Sequence, residues 1–130
     1  FLPHHLENLL EVCTVPPMVD QIEFHPGYVQ WETVEFCRAS QILVEAWSPL
    51  GRQRLADDPL LAELAGKYGV SQAQICLRFA LDCGVVPLPK SADAGRMRQN
   101  LALAFALEAE DLERLRTMPQ TGWSGLHPDK

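Results

Sequence analysis

A chain of 130 residues supplies at most one domain's worth of core, and its net charge of -6 argues against a nucleic-acid or anionic-membrane surface. No apolar run approaches the ~18 residues of a membrane-spanning helix, and the first residues do not resemble a secretory leader. A chain opening on Phe1 rather than Met is expected to be a processed product or part of something longer. Cys13, Cys37, Cys76 and Cys83 show no metal-ligand spacing. Cys76 and Cys83, seven apart on one predicted helix, would stand about 10 Å apart, too far for a disulfide. All four read as buried thiols, so no metal is expected and the compartment is expected to be the reducing cytoplasm.

Pro3 opens a predicted helix over residues 3–13, with Leu6, Leu9, Leu10 and Cys13 on one stripe and Pro16-Pro17 beyond its end. Met18 to Phe24 follows as a strand ended by His25-Pro26-Gly27. Alternation puts Gln21 and Glu23 on one face and Ile22 and Phe24 on the other, and inward polar groups of that kind need partners or a ligand. A helix from Trp31 to Ser40 leads to a second strand, Ile42 to Trp47, closed by Ser48-Pro49-Leu50-Gly51. Trp47, at a strand's carboxyl end, either stacks on a planar ring or fills space at a core rim.

Asp58-Pro59 caps a helix that runs to Gly69, and Ser71-Gln72-Ala73-Gln74 is a capping box for the next, through Asp82. That second helix is apolar around most of its circumference and predicts packing on several sides. Gly84 ends it, and the apolar run Val85 to Leu88 reads as a third buried strand. Lys90 and Ser91 then fall at its carboxyl end, before a helix starting near Asp93 that carries Arg96, Arg98 and Asn100. Ligands bind at that edge of α/β sheets, and a lysine, a hydroxyl and arginines at a helix N-terminus suit a phosphate. The alternative is an ordinary turn with a solvated basic first helical turn. A last helix spans about Ala109 to Thr117, and the tail from Pro119 either packs over a neighbouring surface through Trp123 and Leu126 or frays.

Strictly alternating units with short connections predict a parallel sheet with helical cover, and three strands cannot close a barrel. Asp20-Gln21-Ile22-Glu23-Phe24-His25-Pro26 resembles the strand-six motif of the aldo-keto reductases. Val44-Glu45-Ala46-Trp47-Ser48-Pro49-Leu50-Gly51 is similar to their strand-seven motif. Pro87-Leu88-Pro89-Lys90-Ser91 with Arg96 and Asn100 resembles their strand-eight phosphate signature. Phe1-Leu2 looks like the continuation of their strand-five Ser-Asn, and the ending Gly122 to Asp129 resembles bacterial members that reduce small aldehydes and diketo acids.

The resemblance implies an α/β fold, a partial (β/α)8 TIM barrel. Residues 1–130 would be the single, incomplete carboxyl-terminal half of the domain: about the last three strand-helix units, a final helix and the tail. It also implies NADP(H) as cofactor and small carbonyl compounds as substrates. By position, Gln21 would bond the nicotinamide carboxamide and Trp47 would stack on its ring. Ser48, Leu50 and Gly51 would line the pyrophosphate path. Lys90, Ser91 and Arg96 would hold the 2′-phosphate, and Gln99 and Asn100 would contact adenine; the family often has Glu where Gln99 stands. Substrate choice would come mainly from loops, with the tail around Trp123 contributing to one wall.

The family's catalytic Asp, Tyr, Lys and His have no counterpart here; Tyr28, Tyr68 and His25 do not match those motifs. The resemblance thus implies an oxidoreductase parent and an inactive isolated chain, with His25 structural or at the site's rim. A different class is a non-catalytic subunit, such as those of this fold attached to potassium channels. Open strand edges and an exposed apolar inner face predict self-association or pairing with the other half of a barrel.

Overall fold

The computed structural model describes residues 1–130 and sets three parallel strands side by side in the order β1-β2-β3. β1 (Val19–Glu23) pairs with β2 (Leu43–Trp47) along its whole length, Val19 opposite Leu43 and Glu23 opposite Trp47. β3 (Val86–Pro87) lies on the other edge of β2. It is shorter than the apolar run Val85 to Leu88 predicts. Pro87 and Pro89 have no N–H to donate, so the only bond beyond the pair runs from Leu88 N–H to the Ala46 carbonyl, at 3.0 Å.

Six α-helices accompany the strands: α1 (Pro3–Val12), α2 (Trp31–Ala39), α3 (Pro59–Tyr68), α4 (Gln72–Asp82), α5 (Ala94–Leu101) and α6 (Ala109–Thr117). Their ends follow the local chemistry. Pro59 occupies the first turn of α3 while Asp58 accepts the Leu61 N–H at 3.0 Å. Gly69 closes the same helix at φ +65°, a conformation that side-chain-bearing residues rarely adopt. Ser71 and Gln74 satisfy each other's backbone N–H at 3.1 and 2.9 Å, a closed capping box.

The core lies on one side of the sheet. Ile22, Val44, Ala46 and Val85 are buried against Val34, Cys37, Ile75 and Phe79, and Phe24 stacks between Phe79 (5.7 Å) and Trp31 (6.2 Å). Each fully buried Leu or Phe of this layer contributes about 1.5–3 kcal/mol. As predicted, α4 is buried around most of its surface, including Gln74, Ile75, Cys76, Leu77, Phe79 and Ala80.

On the opposite side, Val19, Leu43, Val86 and Leu88 are 37–47% exposed. These strand-helix units form part of a (β/α) barrel, with the inward side of the sheet open in this chain.

All four cysteines are free, but only Cys37, Cys76 and Cys83 are buried; Cys13 is half-exposed at the end of α1, a correction to the expectation that all four are buried. Burial pushes the Cys37 thiol up to about 11 and those of Cys76 and Cys83 to about 12, which leaves them protonated and unreactive. The buried Asp111 on α6 was not foreseen as a core residue. It accepts Lys67 Nζ at 2.6 Å and the Tyr68 hydroxyl at 2.7 Å, and so ties α6 to α3. No helix is long and apolar enough to cross a membrane.

Candidate functional site

Three hollows adjoin one another at the carboxyl end of the sheet. The first, about 320 Å³, lies between Gln21, Glu23 and Trp47 and the tail residues Gly125 to Pro128. Trp47 is shared with the second, about 350 Å³, which Ser48, Leu50, Arg52 and Leu88 help to line. Lys90 is shared with the third, about 380 Å³, bounded by Lys90, Ser91, Ala92, Asp93 and Arg96. The three follow one another along that edge, with Trp47 and Lys90 at the junctions, and together are called the groove.

At its first end, Gln21 stands opposite Glu45 in the β1–β2 register and donates to its carboxylate at 3.0 Å, which leaves the Gln21 amide oxygen open. Trp47 is half-exposed, with the Arg52 guanidinium 5.4 Å from its ring centroid. The turn beyond it is strained: Ser48, Arg52 and Gln53 hold φ of +52°, +48° and +68°. Each such residue costs about 1–3 kcal/mol, and strain of this kind collects at ligand sites. Arg52 steadies the turn by donating from Nε to Ser48 Oγ at 2.7 Å. Gly51 is buried and is not among the residues that border the second hollow. A Cβ there would lie 2.8 Å from Leu55 Cγ, so Gly51 shapes the turn from behind.

At the far end, Lys90 and Arg96 form no ion pair, and both face the third hollow. The N-terminus of α5 is capped from within the chain. Asp93 accepts the Arg96 N–H at 2.7 Å and occupies that position itself, while Ser91 Oγ accepts the Asp93 N–H at 3.2 Å. An anion here would meet side chains first. Gln99 and Asn100, three and four residues after Arg96, share its helix face but lie outside the hollow.

The tail is fixed rather than frayed. Glu23, only 2% exposed, accepts Arg54 Nη2 at 2.9 Å, the Ser124 hydroxyl at 2.6 Å and the Ser124 N–H at 3.1 Å. Arg54 also donates to the Gly122 carbonyl, and the Gly122 N–H bonds the Gly27 carbonyl at 3.0 Å. Trp123 stacks on Tyr28 at 6.1 Å, so the wall is built by Gly125 to Pro128 and not by Trp123. His25 is fully buried, with Nε2 3.1 Å from Glu23 Oε1 and Nδ1 without a partner. Burial pushes its pKa down, against the pull of Glu23. It is structural.

Residues 2–119 match the sequence profile of the aldo/keto reductase family. The chain belongs to that family. It is 39% identical to a glyoxal reductase of Bacillus subtilis, over 100% of this chain and 48% of that protein. Identity is 38% to a putative methylglyoxal reductase of Salmonella typhi, over 100% and 48%. Among solved structures, a Gox0644 variant in complex with NADPH superimposes with a TM-score of 0.93 at 33% identity, over 100% of this chain and 49% of that one. A Bombyx mori aldo-keto reductase in complex with NADP gives 0.85 at 32%, over 93% and 43%. The chain spans about half the length of the relatives it matches.

Arg52 and the partners of Glu23 in this aldo-keto reductase groove escaped the sequence reading. Arg52 follows Gly51 directly at the carboxyl end of β2, and a cation there was the available signal. Glu23 was singled out as an inward carboxylate, but its partners Arg54 and Ser124 lie 31 and 101 residues away. No local pattern announces them.

Proposed function

We propose that residues 1–130 form the carboxyl-terminal, cofactor-binding half of an aldo-keto reductase domain that takes NADP(H) and serves the reduction of small carbonyl compounds to alcohols. The observation that carries this reading is the continuity of the groove through Trp47 and Lys90, with an aromatic face at one end and two unpaired cations at the other. The residues fit the cofactor. Gln21 offers its free amide oxygen to a carboxamide N–H, and Trp47 offers a ring face. Ser48, Leu50 and Arg52 border the middle, where a pyrophosphate needs hydrogen bonds and positive charge. Lys90, Ser91 and Arg96 receive the 2′-phosphate, and Gln99 and Asn100 extend along α5 toward the adenine.

When bound, the cofactor supplies the hydride. This chain's part is to orient the nicotinamide on Trp47 and to shape the carbonyl's approach with the tail wall. The proton donor and the residues that tune it are not among these 130, so the chain alone does not turn over carbonyls. Glyoxal and methylglyoxal reductases among the relatives favour small aldehydes and dicarbonyls. The open inner face of the sheet is where the remainder of a barrel, or a second copy, packs. Four free thiols suit the reducing cytoplasm.

Titration with NADPH and with NADH, followed by tryptophan quenching, tests this reading. Saturable quenching, stronger for NADPH and lost in Trp47→Phe, is the expected result. A folded chain whose quenching is equal for both cofactors and unchanged in Trp47→Phe overturns it.

A further inference from the structure

A second constellation lies outside the groove, where the tail meets the first turn of α1. His4 and His5 are neighbours on that turn, with ring centroids 3.9 Å apart. Both present Nε2 to a single carboxylate oxygen from the far end of the chain. Asp129 Oδ1 is 3.1 Å from His4 Nε2 and 2.7 Å from His5 Nε2. One donor atom from each residue falls within 4.8 Å of the others. His127 adds a third imidazole, with Nδ1 3.8 Å from the second Asp129 oxygen.

Adjacent helical side chains ordinarily diverge, because successive residues are rotated by about 100° around the axis. Two imidazoles that converge on one carboxylate are therefore uncommon; each Nε2 stands at hydrogen-bond distance from Asp129 Oδ1, and a cation that displaced those protons would find three ligand atoms already gathered. We infer that His4, His5 and Asp129 form a binding site for a first-row divalent cation of the zinc class, bridging α1 to the tail.

The donor set selects the ion. Two imidazole nitrogens with one carboxylate suit Zn²⁺, Co²⁺ or Ni²⁺, whereas Mg²⁺ and Ca²⁺ prefer oxygen shells. A tetrahedral ion with bonds of about 2.0–2.1 Å separates its ligand atoms by about 3.3 Å. The spacings of 3.1 and 2.7 Å must open by a few tenths of an ångström, which surface side chains do by small rotations. The fourth position falls to water, since His127 Nδ1 already accepts the Asp129 N–H at 3.2 Å.

Ligation through Nε2 places the ring proton on Nδ1. His5 Nδ1 now accepts the Leu2 N–H at 3.0 Å, so that N–H must turn to solvent. The ion's stabilisation must exceed the loss of this one bond at the chain's edge.

The site lies beside the first hollow, since Phe1 just before α1 and Leu126 to Pro128 just before Asp129 line it. The buried Glu23–Ser124 contact fastens one end of the wall, and a bound ion fastens the other. This inference does not depend on which ligand the groove takes.

Calorimetric titration of the tag-free, chelator-treated chain with Zn²⁺, repeated with Co²⁺, tests it. One ion per chain is expected, with about tenfold or greater weakening in His4→Ala and in Asp129→Asn, both exposed positions whose variants are checked for unchanged circular dichroism. Cys13→Ser, which removes the most accessible thiol, is expected to bind as the parent does. Absence of binding, binding indifferent to His4→Ala and Asp129→Asn, or binding abolished by Cys13→Ser would each overturn the assignment.

Discussion

Gln21 and Glu45 face each other across the parallel β1–β2 pair, and the amide of one donates to the carboxylate of the other at 3.0 Å. The contact fixes which end of the amide is free. With its nitrogen held by Glu45, Gln21 keeps its oxygen without a protein partner beside the groove.

Gln21→Ala is therefore expected to weaken NADPH binding about fivefold, the loss of one neutral hydrogen bond of about 1 kcal/mol. Glu45→Ala, which removes the orienting partner only, is expected to weaken it less. Quenching titrations of both variants give the order, and a larger loss in Glu45→Ala would contradict the orienting role.

Arg96 faces the third hollow without an ion-pair partner, so its charge is available to a ligand. Arg96→Ala is expected to weaken NADPH about tenfold or more and to leave NADH nearly unchanged, because a charge-assisted bond is worth about 1.5–3 kcal/mol. Equal losses for the two cofactors would remove Arg96 from the 2′-phosphate.

The secondary structure and the order of the units were legible in the sequence, because each element carries its own punctuation: Asp58-Pro59, Ser71 with Gln74, Gly69 and Gly84. That Trp47, Lys90 and Ser91 fall at strand ends on one edge was legible as well, whereas Gln21, Ser48 and Leu50 were singled out for the site only through the family resemblance. Other features depend on contacts that local patterns do not encode. Pro87 shortens β3 through a missing N–H that matters only once β2 is beside it. Asp93 reads as a helix start, but its capture of the Arg96 N–H decides what an anion meets first. The tail reads as irregular chain until Glu23 and Arg54 are placed beneath it.

Arg54→Ala leaves Glu23 buried with its cation gone, and a broken buried pair costs about 3 kcal/mol. A lower thermal midpoint is expected, together with greater protease sensitivity of the tail. Unchanged values in both would mean that the Ser124 bonds alone hold the carboxylate.

His25 supplies the pH dependence. Burial lowers its folded pKa below the unfolded value of about 6.5, so the unfolded chain binds more protons between those two values. Stability contributed by neutral His25 is complete above about 6.5 and falls as the pH drops toward the folded pKa. Urea midpoints measured downward from neutrality are expected to decline, and His25→Gln is expected to flatten that decline. An equal decline in the variant would assign it to other groups.

Gly122 has no room for a side chain. A Cβ would sit 2.7 Å from His25 Cε1, 3.1 Å from Leu55 Cδ2 and 3.3 Å from the Gly27 Cα. Gly122→Ala is expected to cost about 1–3 kcal/mol and to displace the tail wall. Denaturant melts with the quenching titration separate the two effects.

The three strands divide their side chains between two tasks. Ile22, Val44, Ala46 and Val85 hold the helices, while Val19, Leu43, Val86 and Leu88 stand on the side where the core has no stake. The two faces therefore answer to different constraints: substitutions at 22, 44, 46 and 85 disturb the packing of the helices, whereas those at 19, 43 and 86 alter only the face offered to a partner surface, and one at 88 alters the groove as well.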